Sequence, residues 1–202
     1  MSIRRVPGHV ERVGLFGGTF DPVHLGHLIL AVAAMEELFL DRVIFIPAGI
    51  SPHKSGKPPL ATAADRLEML RLAIQDESRF SIDERELHRE GPSFTFDTVE
   101  SMMADYPGVR FIYLIGEDNL RALSTWHRIQ ELRNLVDFAV LGRWSDTDPE
   151  GESLPRIRRR IDISSTEIRE RLAKGDSVRY LLSTSVHDII VSRGLYIPDD
   201  QD

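Results

Sequence analysis

Residues 17–27 read Gly17-Gly18-Thr19-Phe20-Asp21-Pro22-Val23-His24-Leu25-Gly26-His27, between the apolar run 13–16 and a helical pattern that begins near Leu25. A strand, a glycine turn and a helix start, in that order, bring backbone N–H groups and the positive end of the helix dipole to one point. That favours an anion and predicts a phosphate site. His24 and His27 are three residues apart, so in a first helical turn both imidazoles project from one face. For an isolated His-x-x-His, two ordinary polar residues at a helix start would be an equal reading. The glycine pair, Pro22 and a second, remote phosphate-type motif decide for function. Zinc-binding histidine pairs on helices are spaced i, i+4 with a third ligand close by, and no such set is visible here, so no metal ligand is assigned.

Working outward, apolar β-branched runs recur at 13–16, 43–46, 80–82, 111–115, 138–141 and 161–163, with helical patterns between them. Short continuous apolar strands alternating with helices predict an α/β fold: a Rossmann-like, mostly parallel sheet with helices on both faces. Leu28, Val32, Met35 and Phe39 make one helical stripe and Ala63, Leu67, Leu70 and Ile74 another, both read as core. Thr62 with Asp65, Ser164 with Glu167, and Ser185 with Asp188 have capping-box spacing, and Gly175 and Gly194 sit where helices stop. Ser164 puts Ser165 and Thr166 in the first turn of a helix after the last strand, a second anion site, although capping alone explains an isolated Ser164. Segments 47–60 and 144–155 read as loops, the first rich in turn formers, the second acidic. In such sheets ligands lie beyond the carboxyl ends of the strands, where strand order reverses. The motifs after Phe16, Ile46, Ile115 and Ile163 all fall at such ends. Gly-x-Gly-x-x-Gly is absent from the turn, which disfavours a hydride-transfer enzyme.

A chain of 202 residues with 42% hydrophobic content suits a single domain, 1–202, with frayed ends near 1–10 and 198–202. There is no cysteine, hence no disulfide, thiol nucleophile or thiolate metal site. No apolar run spans a bilayer and the first residues lack a secretory pattern, so the expectation is a cytoplasmic protein with no membrane partner. A formal net charge of −7 argues against nucleic-acid binding, so a polyphosphate needs a local basic site. Arg156, Arg158, Arg159 and Arg160 supply cations but read as a solvated face. Lys54 and Arg169 lie inside motifs.

The stretch 17–27 resembles the HxGH signature of the nucleotidyltransferase superfamily. Ile163-Ser164-Ser165-Thr166-Glu167-Ile168-Arg169 resembles its second signature, and the pair is far more specific than either alone. Pro52-His53-Lys54, Ser93-Phe94-Thr95-Phe96-Asp97-Thr98, Gly116-Glu117-Asp118, Trp126 and Gly194-Leu195-Tyr196 extend the resemblance over nearly the whole chain, to bacterial nicotinate-nucleotide adenylyltransferases. The resemblance implies transfer of AMP from ATP to nicotinic acid mononucleotide, giving deamido-NAD and pyrophosphate by direct in-line attack, with Mg²⁺ travelling on ATP. A phosphate is already an ionised nucleophile, so the protein must supply alignment and charge cancellation rather than a base.

By that resemblance His24, His27 and Arg169 are catalytic. Gly17, Gly18, Thr19, Phe20, Gly116, Asp118, Ile163, Ser164, Ser165 and Thr166 bind ATP, with Asp118 on a ribose unless it is only a helix N-cap. Pro52, His53, Lys54, Phe94, Thr95, Trp126 and Arg143 bind the acceptor, with Trp126 against the pyridine ring and the Thr95 region near its carboxylate. Trp126 reads equally well as a buried anchor. The family commonly has Tyr at Phe94, so a hydroxyl contribution is lost there. Alternatives are an adenylyltransferase for nicotinamide mononucleotide or for phosphopantetheine, whose enzymes typically carry Thr at His24, and a non-catalytic ATP sensor. A homo-oligomer is left open.

Overall fold

The computed structural model describes residues 9–50, 58–142 and 154–198. Six parallel strands form one sheet: β1 (Arg12–Gly18), β2 (Arg42–Pro47), β3 (Phe80–Ile82), β4 (Arg110–Gly116), β5 (Asp137–Leu141) and β6 (Arg156–Ile157). Their order is β3-β2-β1-β4-β5-β6, so it reverses between β1 and β4. The helices are α1 (Leu25–Glu37), α2 (Ala63–Ile74), α3 (Thr95–Asp105), α4 (Glu117–Ala122), α5 (Ile129–Leu135), α6 (Ser165–Lys174) and α7 (Thr184–Ser192). No described helix is long and apolar enough to cross a membrane.

The continuous apolar runs have a simple cause: successive side chains point to opposite faces, and both faces are covered. Phe16, Val43, Phe45, Ile112, Leu114, Ala139 and Leu141 face one core with α1, α2, α6 and α7. Val13, Leu15, Ile44, Ile46, Phe111, Tyr113, Ile115, Phe138 and Val140 face the other, with α3, α4 and α5.

Four local expectations are corrected. Residues 161–163 are not a strand; the sixth strand is Arg156–Ile157, pairing only with Val140 and Leu141 of β5. A tight turn from the Arg159 amide to the Ile157 carbonyl ends it, and the chain then runs over the start of α1, with Ile161 against Gly26. Phe39 is not core: α1 stops at Glu37, Phe39 has φ 53° and is 81% exposed, and Leu40 takes the buried place. Ala63 is likewise exposed, and the buried face of α2 is Arg66, Met69, Leu70 and Ile74. Finally, α7 is capped by Ser183, whose hydroxyl accepts from the Val186 amide, and not by Ser185. The Thr62 and Ser164 caps and the left-handed Gly175 stand as expected.

This cap difference is directly testable. Ser183→Ala should cost about 1 kcal/mol in urea unfolding, whereas Ser185→Ala should stay within about 0.5 kcal/mol of the parent. Equal costs would contradict the capping geometry.

Candidate active site at the strand-order reversal

Because β1 and β4 are neighbours on either side of the reversal, the Gly17-Gly18 turn and Gly116 open into one crevice. Glycine at position 17 is a steric requirement: a Cβ there would lie 2.2 Å from the Tyr113 hydroxyl. The turn that follows is held by buried polar groups. Asp21 accepts from the Leu60 amide (2.8 Å), the Ala61 amide (3.1 Å) and the Tyr196 hydroxyl (2.7 Å). Arg66, only 2% exposed, donates to the carbonyls of Thr19 (2.7 Å) and Ala48 (2.9 Å), so it bridges the loops after β1 and β2. Burial pulls its pKa below the ordinary guanidinium value, with the nearby Asp21 carboxylate acting against that. Sequence reading passed over Arg66 as a functional residue, although a charge on the stripe of Met69 and Leu70 is the signal that could have found it.

His24 is the N-cap of α1 and His27 lies one turn in; their rings stack with centroids 3.7 Å apart. The His24 amide donates to His27 Nδ1 at 3.2 Å, which in a neutral ring leaves the N–H on Nε2 as a donor. Phe16 and Phe20 wall His27 at 5.9 and 5.1 Å between centroids. His24 is 7% exposed, and burial lowers its pKa to about 4, so its ring is neutral near pH 7. Gly26 lies against it: a Cβ at Gly26 would approach His24 Nδ1 to 2.9 Å. The expected row of open amides at this helix start is narrower than the sequence suggests. The Leu25 amide is taken by the Leu181 carbonyl and the His27 amide by that of His24.

The second motif docks directly on the first. Ser164 caps α6 through the Glu167 amide, which satisfies its structural role. Ser165 Oγ donates to the Pro22 carbonyl at 2.9 Å, and Arg169 Nη1 donates to the Asp21 carbonyl at 2.7 Å. Arg169 Nη2 also reaches Thr166 Oγ1 at 3.2 Å. Ile163 packs half-buried against the first core.

Gly116, not Asp118, is the N-cap of α4; Asp118 lies in the first turn and is exposed, so the capping alternative is removed. Glu117 pairs with Arg156 at 3.2 Å, both largely covered, so Arg156 is structural. Arg158, Arg159 and Arg160 are exposed and line a small cleft with Gly142. Thr95 begins α3 after the N-cap Phe94, whose ring lies 4.6 Å from that of His127. Trp126 is 7% exposed and packs edge-on against Tyr113 and Phe138, so it is an anchor of the second core. Pro52, His53, Lys54 and Arg143 lie outside the described residues. Among the described residues no group of three His, Asp or Glu side chains is arranged to hold a metal ion.

Residues 15–171 match the cytidylyltransferase-like family model. The chain is 42% identical over 188 residues to a protein of Exiguobacterium sibiricum named probable nicotinate-nucleotide adenylyltransferase, covering 92% of this chain and 98% of that one. It is 39% identical over 199 residues to a protein of the same name from Rubrobacter xylanophilus, covering 93% of each. In fold it resembles Plasmodium falciparum nicotinic acid mononucleotide adenylyltransferase complexed with NaAD, with a TM-score of 0.72 at 19% identity, covering 92% of this chain and 97% of that one. With the two signature motifs bonded to each other at the strand-order reversal and this similarity running almost end to end, the chain belongs to the nicotinate-nucleotide adenylyltransferase family.

Proposed function

We propose that the crevice above β1 and β4 joins ATP to nicotinic acid mononucleotide, giving deamido-NAD and pyrophosphate. The observation that carries this assignment of the site is the pair of bonds from Ser165 and Arg169 to the Pro22 and Asp21 carbonyls, which place a histidine pair, an arginine and a helix start around one opening. In the reaction a 5′-phosphate oxygen of the acceptor attacks the α-phosphorus of ATP. The new P–O bond forms as the bond to the bridging oxygen breaks, and pyrophosphate leaves with that electron pair. Since the nucleophile arrives ionised, catalysis lies in alignment and in donors preorganised for charge on the leaving oxygens.

His27, with Nε2–H as donor, and His24 serve the α- and β-phosphates beside Thr19, Phe20 and the backbone of Gly17 and Gly18. Ser165, Thr166 and Arg169 close on the polyphosphate from α6, with Ser164 holding that helix start and Ile163 the approach to it. Asp118, exposed at the end of β4 beside Gly116, accepts ribose hydroxyls. Mg²⁺ would be carried by phosphate oxygens and water, as suits this ion. The acceptor's ring carboxylate lies at the start of α3 by Thr95, where backbone donors and the helix dipole favour a negative group. Trp126 contributes by fixing the wall behind the pyridine ring.

Pyrophosphate release from ATP and Mg²⁺ should be rapid with nicotinic acid mononucleotide and weak with phosphopantetheine. Tight ATP binding with no release for any acceptor would favour a nucleotide sensor instead. His24→Ala and His27→Ala should each lower kcat by about 10²- to 10³-fold with a smaller change in KM, as for loss of a transition-state donor. An unchanged kcat removes the assigned role. His24 has a folded pKa near 4 against 6.5 for the free group, so its contribution to stability is intact above pH 6.5 and is lost as pH falls from 6.5 towards 4. NMR titration should therefore find its ring unprotonated down to about pH 5 in the free protein, and titration near 6.5 would overturn the buried geometry.

A further inference from the structure

Glu86 is a buried carboxylic acid with no part in the phosphate chemistry, and it stands behind the acceptor end of the crevice. It is 6% exposed and accepts from Thr98 Oγ1 at 2.8 Å, a hydroxyl that itself accepts from Arg89 Nη1 at 3.0 Å. Its backbone is fixed as well. The Glu86 carbonyl accepts from Ser93 Oγ at 3.3 Å and lies so close to Gly49 that a Cβ there would sit 2.4 Å away. Thr98 is one turn along α3 from Thr95. The buried Tyr113 hydroxyl lies in the field of Glu86 and against Gly17. Glu86 and Thr98 thus form a buried polar pair under the first turns of α3, near the Tyr113 hydroxyl that abuts Gly17.

Burial outweighs the charges around Glu86, of which Arg89 and Arg85 favour its anion and Asp83 opposes it. From its own segment it faces Asp83, Arg85 and Arg89, from α3 Thr98, and from β4 Tyr113. Arg85 is already committed to Asp83 at 2.8 Å and Asp105 at 3.0 Å, and Arg89 reaches Thr98 rather than the carboxylate. Ionised, Glu86 would place a negative charge under the same helix start that is to hold the acceptor's carboxylate.

We infer that Glu86 is a specificity-determining residue: its neutral acid leaves the start of α3 free to hold the ring carboxylate of the acceptor, and its anion competes with that carboxylate. The inference rests on the reading that the carboxylate lies at Thr95. Burial pushes the Glu86 pKa up to about 7, which puts the change of state inside the working pH range. Nicotinamide mononucleotide carries the same sugar phosphate with a neutral ring substituent, so comparing the two cancels every titration that they share.

The test measures kcat/KM for nicotinic acid mononucleotide against nicotinamide mononucleotide from pH 6 to 8.5, in the parent and in Glu86→Gln. Where turnover of the amide is too slow, its inhibition constant replaces it. The parent's preference for the acid should fall by about five- to tenfold as pH rises, a size expected for one partly screened charge at close range. Glu86→Gln should hold the low-pH preference at every pH, with the KM for ATP unchanged. A preference that is flat in the parent, or one that still falls in Glu86→Gln, overturns the role of Glu86 while leaving the adenylyl transfer intact. A flat parent profile overturns the role even if the variant fails to fold. No turnover of the acid at any pH removes the functional reading and this inference with it.

Discussion

The whole site depends on one constraint, the reversal of strand order between β1 and β4. Parallel strands that wind outward in two directions leave their first loops facing each other, so an opening exists there before any side chain is chosen. The Gly17-Gly18 turn and the Gly116 end of β4 border that opening because their strands are hydrogen-bonded neighbours. Tyr113, on the same β4, reaches across to Gly17 and fixes how closely the two ends approach.

A loop carrying a histidine pair is useful only if it is held still, and here buried polar groups hold it. Asp21 and Arg66 work as opposite halves of one clamp: the carboxylate takes two amides and the Tyr196 hydroxyl, while the guanidinium takes the carbonyls of Thr19 and Ala48. The Asp21 and Pro22 carbonyls are in turn satisfied by Arg169 and Ser165. Groups this buried are costly unless paired; Arg66 Nε has no partner, and the two carbonyls held by its Nη1 tie the turn to the loop after β2. Preorganisation of this kind lets neutral donors stabilise a charge that appears only in the transition state. In the proposed reaction His24 and His27 take that role, one as the cap of α1 and one a turn later.

Much of this was legible in the chain. Uninterrupted apolar runs demand cover on both faces, and the structure places their alternate residues in two separate cores. Thr62 and Ser164 cap as their spacing requires, because a cap depends on residues within one turn. The readings that failed depended on distant partners. Ile161 and Ile163 have strand-forming side chains, but β5 offers them no pairing beyond Leu141. Phe39 has core chemistry, yet α1 ends before it and Leu40 fills the space. Trp126 is a different case: its packing on Tyr113 and Phe138 makes it an anchor, which is compatible with a wall behind the pyridine ring.

From the chain alone the fold class and the two anion-binding motifs could be read, because periodicity, glycine turns and caps are local properties; the transfer chemistry came from their resemblance to a known family. It took the folded arrangement to show that Ser165 and Arg169 bond to a turn more than a hundred residues earlier, that Arg66 and Asp21 clamp it, and that Glu86 lies buried against Thr98. Those facts come from which loops the sheet order brings together, and burial then sets the charge state of each group found there.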